Sequence, residues 1–179
     1  TFWDFRPRAG EHAFPLGVVI SDGETLAPPR ANYPSLCFGR GGAGIRADGA
    51  CPEGTTHAIA GRVIIEPGDE PDNDGFAGKP YPLTLAGLDI TGRTLLLLIV
   101  DGKQPFYSDG LKLDDGAAVL FRRGAAKVLQ LDGGGSTTLV IEGARAATTL
   151  NSPIHTRIPG RQRPIATHLG FYALPAAQD

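Results

Sequence analysis

The chain has 179 residues, 41% of them hydrophobic and 20% charged, and a formal net charge of -2. That length and apolar content suit a single domain with a proper core, taken here as residues 1–179. The near-neutral charge excludes the electrostatic footprint of a nucleic-acid or anionic-membrane binder. The longest apolar run, residues 94–100, has a strand's length and not the about 18 residues of a membrane helix.

With 25 glycines, 15 prolines and no repeat period, the chain reads as turn-rich and β-rich rather than disordered. It has no methionine and begins at Thr1, which implies a processed precursor or a fragment. A free terminal threonine also raises the alternative of an autoprocessed Thr1 nucleophile with its own amine as base. Phe2, Trp3 and Phe5 read as packing at the core or its rim.

Residues 14–20 and 25–27 flank Asp22-Gly23, a good hairpin signal. Residues 35–38 and 44–47 flank Gly39-Arg40-Gly41-Gly42. A phosphate loop would need a Lys-Ser/Thr ending and a following helix, so a second hairpin tip is the better reading. Cys37 and Cys51 bracket this region. In an exported protein they would close a disulfide, and in the cytosol they would stay thiols. The disulfide is favoured, because the loop between them lacks other means of rigidity. Residues 56–66 are strand-like, and His57 there reads as a partly buried structural histidine. Residues 69–78 carry Glu70, Asp72 and Asp74 and read as a solvated loop, since the calcium pattern lacks its terminal glutamate.

Residues 83–88 and 93–100 form a hairpin across Asp89-Ile90-Thr91-Gly92. The run Leu95-Leu96-Leu97-Leu98-Ile99-Val100 is too continuous for a half-exposed strand, which places it in the sheet centre, covered on both faces. It delivers Asp101, either a turn-forming Asp-Gly or a site carboxylate against an apolar wall. Residues 113–123 form the one convincing helix, with Asp114 and Asp115 near its start and Arg122 and Arg123 near its end. Leu113, Ala117, Leu120 and Phe121 make its apolar stripe, and Gly124 is a natural C′ residue.

The strand at residues 127–131 runs into Asp132-Gly133-Gly134-Gly135-Ser136-Thr137. Three consecutive glycines are costly between strands. They make sense where the backbone needs positive φ or a ligand approaches closely. The connection 144–163 follows, with Asn151, His155, Arg157, Arg161 and Arg163, and a loop of that length is often functional. Residues 164–173 are expected to close the sheet with Ile165, Leu169, Phe171 and Tyr172. The candidate site gathers Asp101, Asp132, the amides of Gly133, Gly134 and Gly135, Ser136, Thr137 and Arg163. Backbone donors with an arginine suit an anion, most naturally a phosphate. Carboxylates beside it suit acid–base or glycosyl chemistry.

The segment Gly92-Arg93-Thr94 through Val100-Asp101-Gly102, then Tyr107-Ser108-Asp109-Gly110, Leu131-Asp132-Gly133-Gly134-Gly135-Ser136-Thr137 and Arg163-Pro164-Ile165-Ala166 resembles the phosphodiester glycosidase family. This is the family of the lysosomal uncovering enzyme and of bacterial proteins labelled exopolysaccharide-related. The resemblance runs from about residue 83 to 173 and continues more weakly before it. It implies hydrolysis of a sugar-1-phosphodiester or related glycan at the glycosidic bond. It favours Asp101 and Asp132 as catalytic, and Gly133, Gly134, Gly135, Ser136, Thr137, Arg163 and Asn151 as substrate-binding. Leu83 stands where the family commonly has an arginine, which implies one fewer cationic phosphate ligand. A noncatalytic carbohydrate- or phosphate-binding module is the alternative on the same scaffold. No cofactor is expected, with a divalent cation at Asp101 and Asp132 left open.

The expected fold is α+β, a twisted, mainly antiparallel or mixed sheet system with one main helix and few short ones. The cysteine pair, the missing initiator and the resemblance favour a secreted or periplasmic location.

Overall fold

The computed structural model describes residues 2–3, 14–69, 78–143, 146–165 and 167–173. The readings made for Thr1, Phe5, Glu70, Asp72 and Asp74, and for the side chain of Trp3, lie outside what is described. At the start, β1 (Phe2–Trp3) pairs with β2 (Pro15–Leu16).

The first large sheet is built from β3 (Val19–Ser21), β4 (Glu24–Ala27), β5 (Ser35–Gly39), β6 (Gly42–Arg46) and β7 (Thr55–Ala60). Its order is β4-β3-β7-β5-β6, and its pairings are antiparallel. Asp22 and Gly23 both have positive φ, 50° and 82°, so the two-residue turn matches the twist of the strands it joins. Gly39 to Gly42 is a hairpin tip, as the sequence suggested. Cys37 and Cys51 form a disulfide that ties β5 to the loop before β7. His57 is exposed rather than partly buried, and its Nε2 lies 3.7 Å from Asp22 Oδ1.

The second sheet contains β8 (Ile64–Ile65), β9 (Leu83–Leu88), β10 (Leu95–Val100) and β11 (Lys127–Gln130), in the antiparallel order β10-β9-β11-β8. Side chains on a strand alternate between faces, and the two faces have different partners. Leu83, Leu85 and Val128 pack against Leu113, Ala117 and Leu120 of α1 (Leu113–Arg122). Ala86, Leu129 and Leu131 pack against Leu36 and Ile59 of the first sheet. The layers are therefore helix, sheet, sheet. Leu36, Leu85 and Leu129 are fully buried, and each such burial contributes about 1.5–3 kcal/mol. Short hairpins finish the chain: β12 (Val140–Ile141) with β13 (Thr148–Thr149), and β14 (Ile154–His155) with β15 (Ile158–Pro159).

The fold corrects the α+β expectation. Among the described residues strand occupies 37% and helix 9%, so the protein is mainly β. The helix found is the expected one, but it covers one face of one sheet, and among the described residues the other helical piece is the single turn Gly134–Ser136. A second correction concerns Leu95–Val100. This run is covered on one face, with Leu96, Leu98 and Val100 against α1, while Leu97 and Ile99 on the other face line an open cavity and Leu97 is exposed. The strand also lies at the sheet edge, not its centre. The centre is held by β9, flanked by β10 and β11. Residues 164–173 add no strand among those described; Leu169 packs into the core and Phe171 meets Phe38 edge-on, while Tyr172 is exposed. No helix among the described residues is long and apolar enough to cross a membrane.

Candidate active site

Past β11, the Leu131 amide donates to the Thr84 carbonyl at 2.9 Å, so the chain stays on β9 until Asp132. The turn that follows is pressed against the entry to β9. Gly134 has φ of 61° and donates its amide to the Pro82 carbonyl at 2.9 Å. A Cβ on Gly133 would lie 2.7 Å from that same carbonyl oxygen. The Ser136 and Thr137 amides then close back on the Gly133 and Gly134 carbonyls at 3.1 and 3.2 Å. These donors serve the turn itself. The glycines are required by close approach and positive φ, both of which the sequence allowed.

Asp132 Oδ1 accepts the Gly133 amide at 3.0 Å, whereas Oδ2 is buried without a protein partner. A buried unsatisfied polar atom costs about 1–3 kcal/mol, and one in a native protein asks for an explanation such as a catalytic role or an ordered water. Asp132 lines a cavity of about 530 Å³ together with Ser136, Thr138, Gln162, Arg163, Thr167 and His168. Thr167 Oγ1 is likewise buried and without a partner. The cavity floor is the non-helical face of the second sheet, Thr84, Leu97, Ile99 and Leu131, with Ile59 from the first. Asp132 is the one carboxylate lining it among the described residues.

Arg163 crosses the turn, with Nη1 donating to Ser136 Oγ at 3.3 Å. It fits because residue 135 is glycine: a Cβ there would lie 3.3 Å from Arg163 Cδ. Arg163 and Gly135 also line a second cavity, of about 690 Å³, on the other side of the turn. The glycine turn is thus a partition. Asp132 and Ser136 face the first cavity, and Gly135 faces the second.

The other expected residues sit elsewhere. Asp101 lines neither cavity. Its Oδ1 accepts Asn151 Nδ2 at 2.9 Å, and the Ser152 amide reaches Oδ1 and Oδ2 at 3.0 and 2.9 Å. Tyr107 Oη donates to Oδ2 at 3.0 Å, and this bond to the carboxylate holds the phenol pKa above its ordinary value. Ser108 Oγ bonds the Asp101 carbonyl at 2.7 Å, so the Tyr107-Ser108-Asp109-Gly110 stretch braces Asp101. Asn151 is fully engaged, since its Oδ1 also accepts the Leu139 amide at 2.8 Å. Thr137 is buried, with its Oγ1 accepting from Thr84 Oγ1 at 3.4 Å, and Thr138 lines the cavity instead. Leu83, at the family's arginine position, faces the helix and not the cavity. Among the described residues, no group of three or more His, Cys, Asp and Glu converges as a metal site.

Sequence reasoning missed Thr84, Thr138, Gln162, Thr167 and His168. They come from three separate segments, and no local spacing marks them. By contrast, His155 and Arg157 of the second cavity were visible as part of a cationic connection.

Fold and site define a mainly β protein whose cavity pairs one carboxylate with an arginine. A family profile described as phosphodiester glycosidase matches residues 4–172. The chain belongs to the phosphodiester glycosidase family. No curated protein matches it.

Proposed function

We propose that this protein hydrolyses the bond between the anomeric carbon of a sugar and a phosphodiester oxygen, with Asp132 as the reacting carboxylate. The observation that carries the reading is Asp132, which lines the cavity with Arg163 and whose Oδ2 is buried without a protein partner. Membership in the phosphodiester glycosidase family supports the reaction class.

The sugar occupies the first cavity. Its C–H faces rest on Leu97, Ile99 and Leu131, and its hydroxyls meet Thr138, Thr167 and Gln162. Arg163 and Ser136 hold the phosphate at the partition, where a guanidinium matches phosphate geometry. Asp132 takes a proton from water as the water oxygen bonds to the anomeric carbon. The C1–O electron pair leaves with the phosphate, giving a free sugar and a phosphomonoester. A phosphate leaving group needs little protonation, so one carboxylate suffices and the anomeric configuration inverts. Gly133 and Gly134 shape the turn, while Asp101, Asn151 and Thr137 position it from behind. The disulfide supports export to an oxidising compartment.

The test is hydrolysis, in ¹⁸O-labelled water, of a panel of α- and β-linked sugar 1-(methyl phosphate) diesters. The label is expected on the sugar, with inversion seen by NMR. Label on methyl phosphate, or no turnover across the panel with sugar binding intact, overturns the reading; the second outcome makes the protein a binding module.

A further inference from the structure

The second cavity holds more positive charge than one phosphodiester needs. It is lined by Lys103, His155, Arg157 and Arg163 around Tyr81 and Gly135, and no Asp or Glu among the described residues lines it. A phosphodiester carries a single negative charge, and Arg163 already stands at the partition to meet it. Lys103 and Arg157 line the second cavity and not the first.

The backbone that presents them is strained. Among the described residues six non-glycines have positive φ, and three of them, Lys103 at 57°, Thr156 at 52° and Arg157 at 63°, line this one cavity. Thr156-Arg157 is the two-residue turn joining β14 to β15. With both residues at positive φ, its relaxed sequence would be Asn-Gly, and a β-branched residue there is an outlier. Arg161 Nη1 props the turn by donating to Thr156 Oγ1 at 3.1 Å. Lys103 Nζ is held 3.8 Å above the Tyr81 ring by attraction to its face rather than by an acid. Backbone strain that delivers cations into a cavity without acids is a pattern of binding sites rather than of turns chosen for stability.

We propose that this cavity binds a second phosphate on the leaving fragment, so that the preferred substrate is a sugar joined through a diphosphate. The inference rests on the glycosidase reading for its chemistry, which is unchanged: water adds to the anomeric carbon, the same C1–O bond breaks, and the diphosphate leaves with the electron pair. The first phosphate sits at Arg163 and the second between Lys103 and Arg157.

The experiment has a binding arm and a turnover arm. Calorimetry compares inorganic pyrophosphate with inorganic phosphate on the wild type, Lys103→Gln and Arg157→Gln. Pyrophosphate is expected to bind at least tenfold more tightly than phosphate, and each variant to lose most of that advantage. Turnover compares a sugar 1-(methyl phosphate) with a sugar 1-(methyl diphosphate). The ratio of kcat/KM is expected to favour the diphosphate and to fall about tenfold in each variant, whatever the active fraction. Nucleoside-diphosphate and short prenyl-diphosphate sugars then distinguish the two natural sources of that group. Equal affinity for phosphate and pyrophosphate, or ratios untouched by both variants, overturns the proposal. Selective pyrophosphate binding that the variants abolish, without hydrolysis of any ester, keeps the cavity assignment and overturns the glycosidase reading instead.

Discussion

Asn151 Nδ2 donates both to Asp101 Oδ1, at 2.9 Å, and to the Thr137 carbonyl, at 3.0 Å. One carboxamide therefore joins the end of β10 to the exit of the glycine turn. With the Ser152 amide on the same carboxylate, Asp101 is a bracket that fixes the turn from outside the cavity.

Asp101→Asn should consequently act on stability first. The new amide places a donor where Ser152 N–H and Tyr107 Oη now donate. Hydrogen bonds to a charged group contribute about 1.5–3 kcal/mol, and each 1 kcal/mol moves Tm by about 2–4 °C at this size. Urea unfolding and thermal melts measure the loss, and kcat at low temperature should stay within about tenfold of wild type. A thousandfold loss of kcat at unchanged stability would return Asp101 to the chemistry.

Asp132→Asn should show the opposite pattern. Its Oδ2 has no protein partner, so replacing a charge by a neutral amide there removes a desolvation cost and leaves stability equal or higher. Turnover should fall by about 10²–10⁴, the usual contribution of a positioned acid or base. A melt and a rate measured on the same preparation decide it; unchanged turnover would rule Asp132 out.

The physics of local sequence made parts of this architecture readable. Asp22-Gly23 and the capless but periodic Leu113–Arg122 announced themselves, because turn chemistry and helical spacing are local. The glycine turn was legible as a place of positive φ and close approach for the same reason. Strand order was not. A continuous apolar run suggests that both faces of Leu95–Val100 are covered, but the strand lies at an edge, where the helix covers one face and the other lines an open cavity. Nor could composition weigh one helix against many short strands, which is what makes the fold mainly β. After the single turn of 3₁₀ helix Thr137, expected in the site, is buried, and Thr138 lines the cavity. Thr84 and Thr167 reach the site only through tertiary packing.

The helix start offers a stabilising change. Lys112 is the N-cap, with extended φ and ψ of -69° and 156° and no side-chain capping bond. A serine there can accept from the first-turn amides. Lys112→Ser should add about 1 kcal/mol, read as a shift in the urea midpoint with an unchanged slope. A lower midpoint would contradict the capping argument.

Asp89 closes the turn between β9 and β10. Its carboxylate accepts Thr91 Oγ1 at 2.6 Å and the Arg93 and Thr94 amides at 2.9 Å. The Thr91 hydroxyl bond is the largest cause of its lowered pKa, followed by the Thr94 amide. A carboxylate with a depressed folded-state pKa adds stability above its unfolded value, near 3.8, and loses it as pH falls through the folded value. The gap in unfolding midpoint between wild type and Asp89→Ala should therefore be level at neutral pH and shrink below 3.8. A gap that widens in acid would reverse the assigned sign.

Neighbouring glycines of the turn should separate stability from function. Gly134 has φ of 61°, and a Cβ there would meet Tyr81 Oη at 3.0 Å. Gly134→Ala should destabilise by about 1–2 kcal/mol, the cost of a side chain in the left-handed region. Gly135 carries no such φ, and a Cβ there would crowd the Ile154 carbonyl at 3.1 Å and Arg163 Cδ at 3.3 Å. The arginine is the softer of the two, because a flexible side chain yields before backbone does. Gly135→Ala should thus move Arg163 off the partition, raising KM about tenfold with a smaller loss of stability than Gly134→Ala. Steady-state kinetics beside melts of both variants test the pair. Equal KM values in Gly135→Ala and wild type would show that the guanidinium holds its place without the space this glycine leaves it.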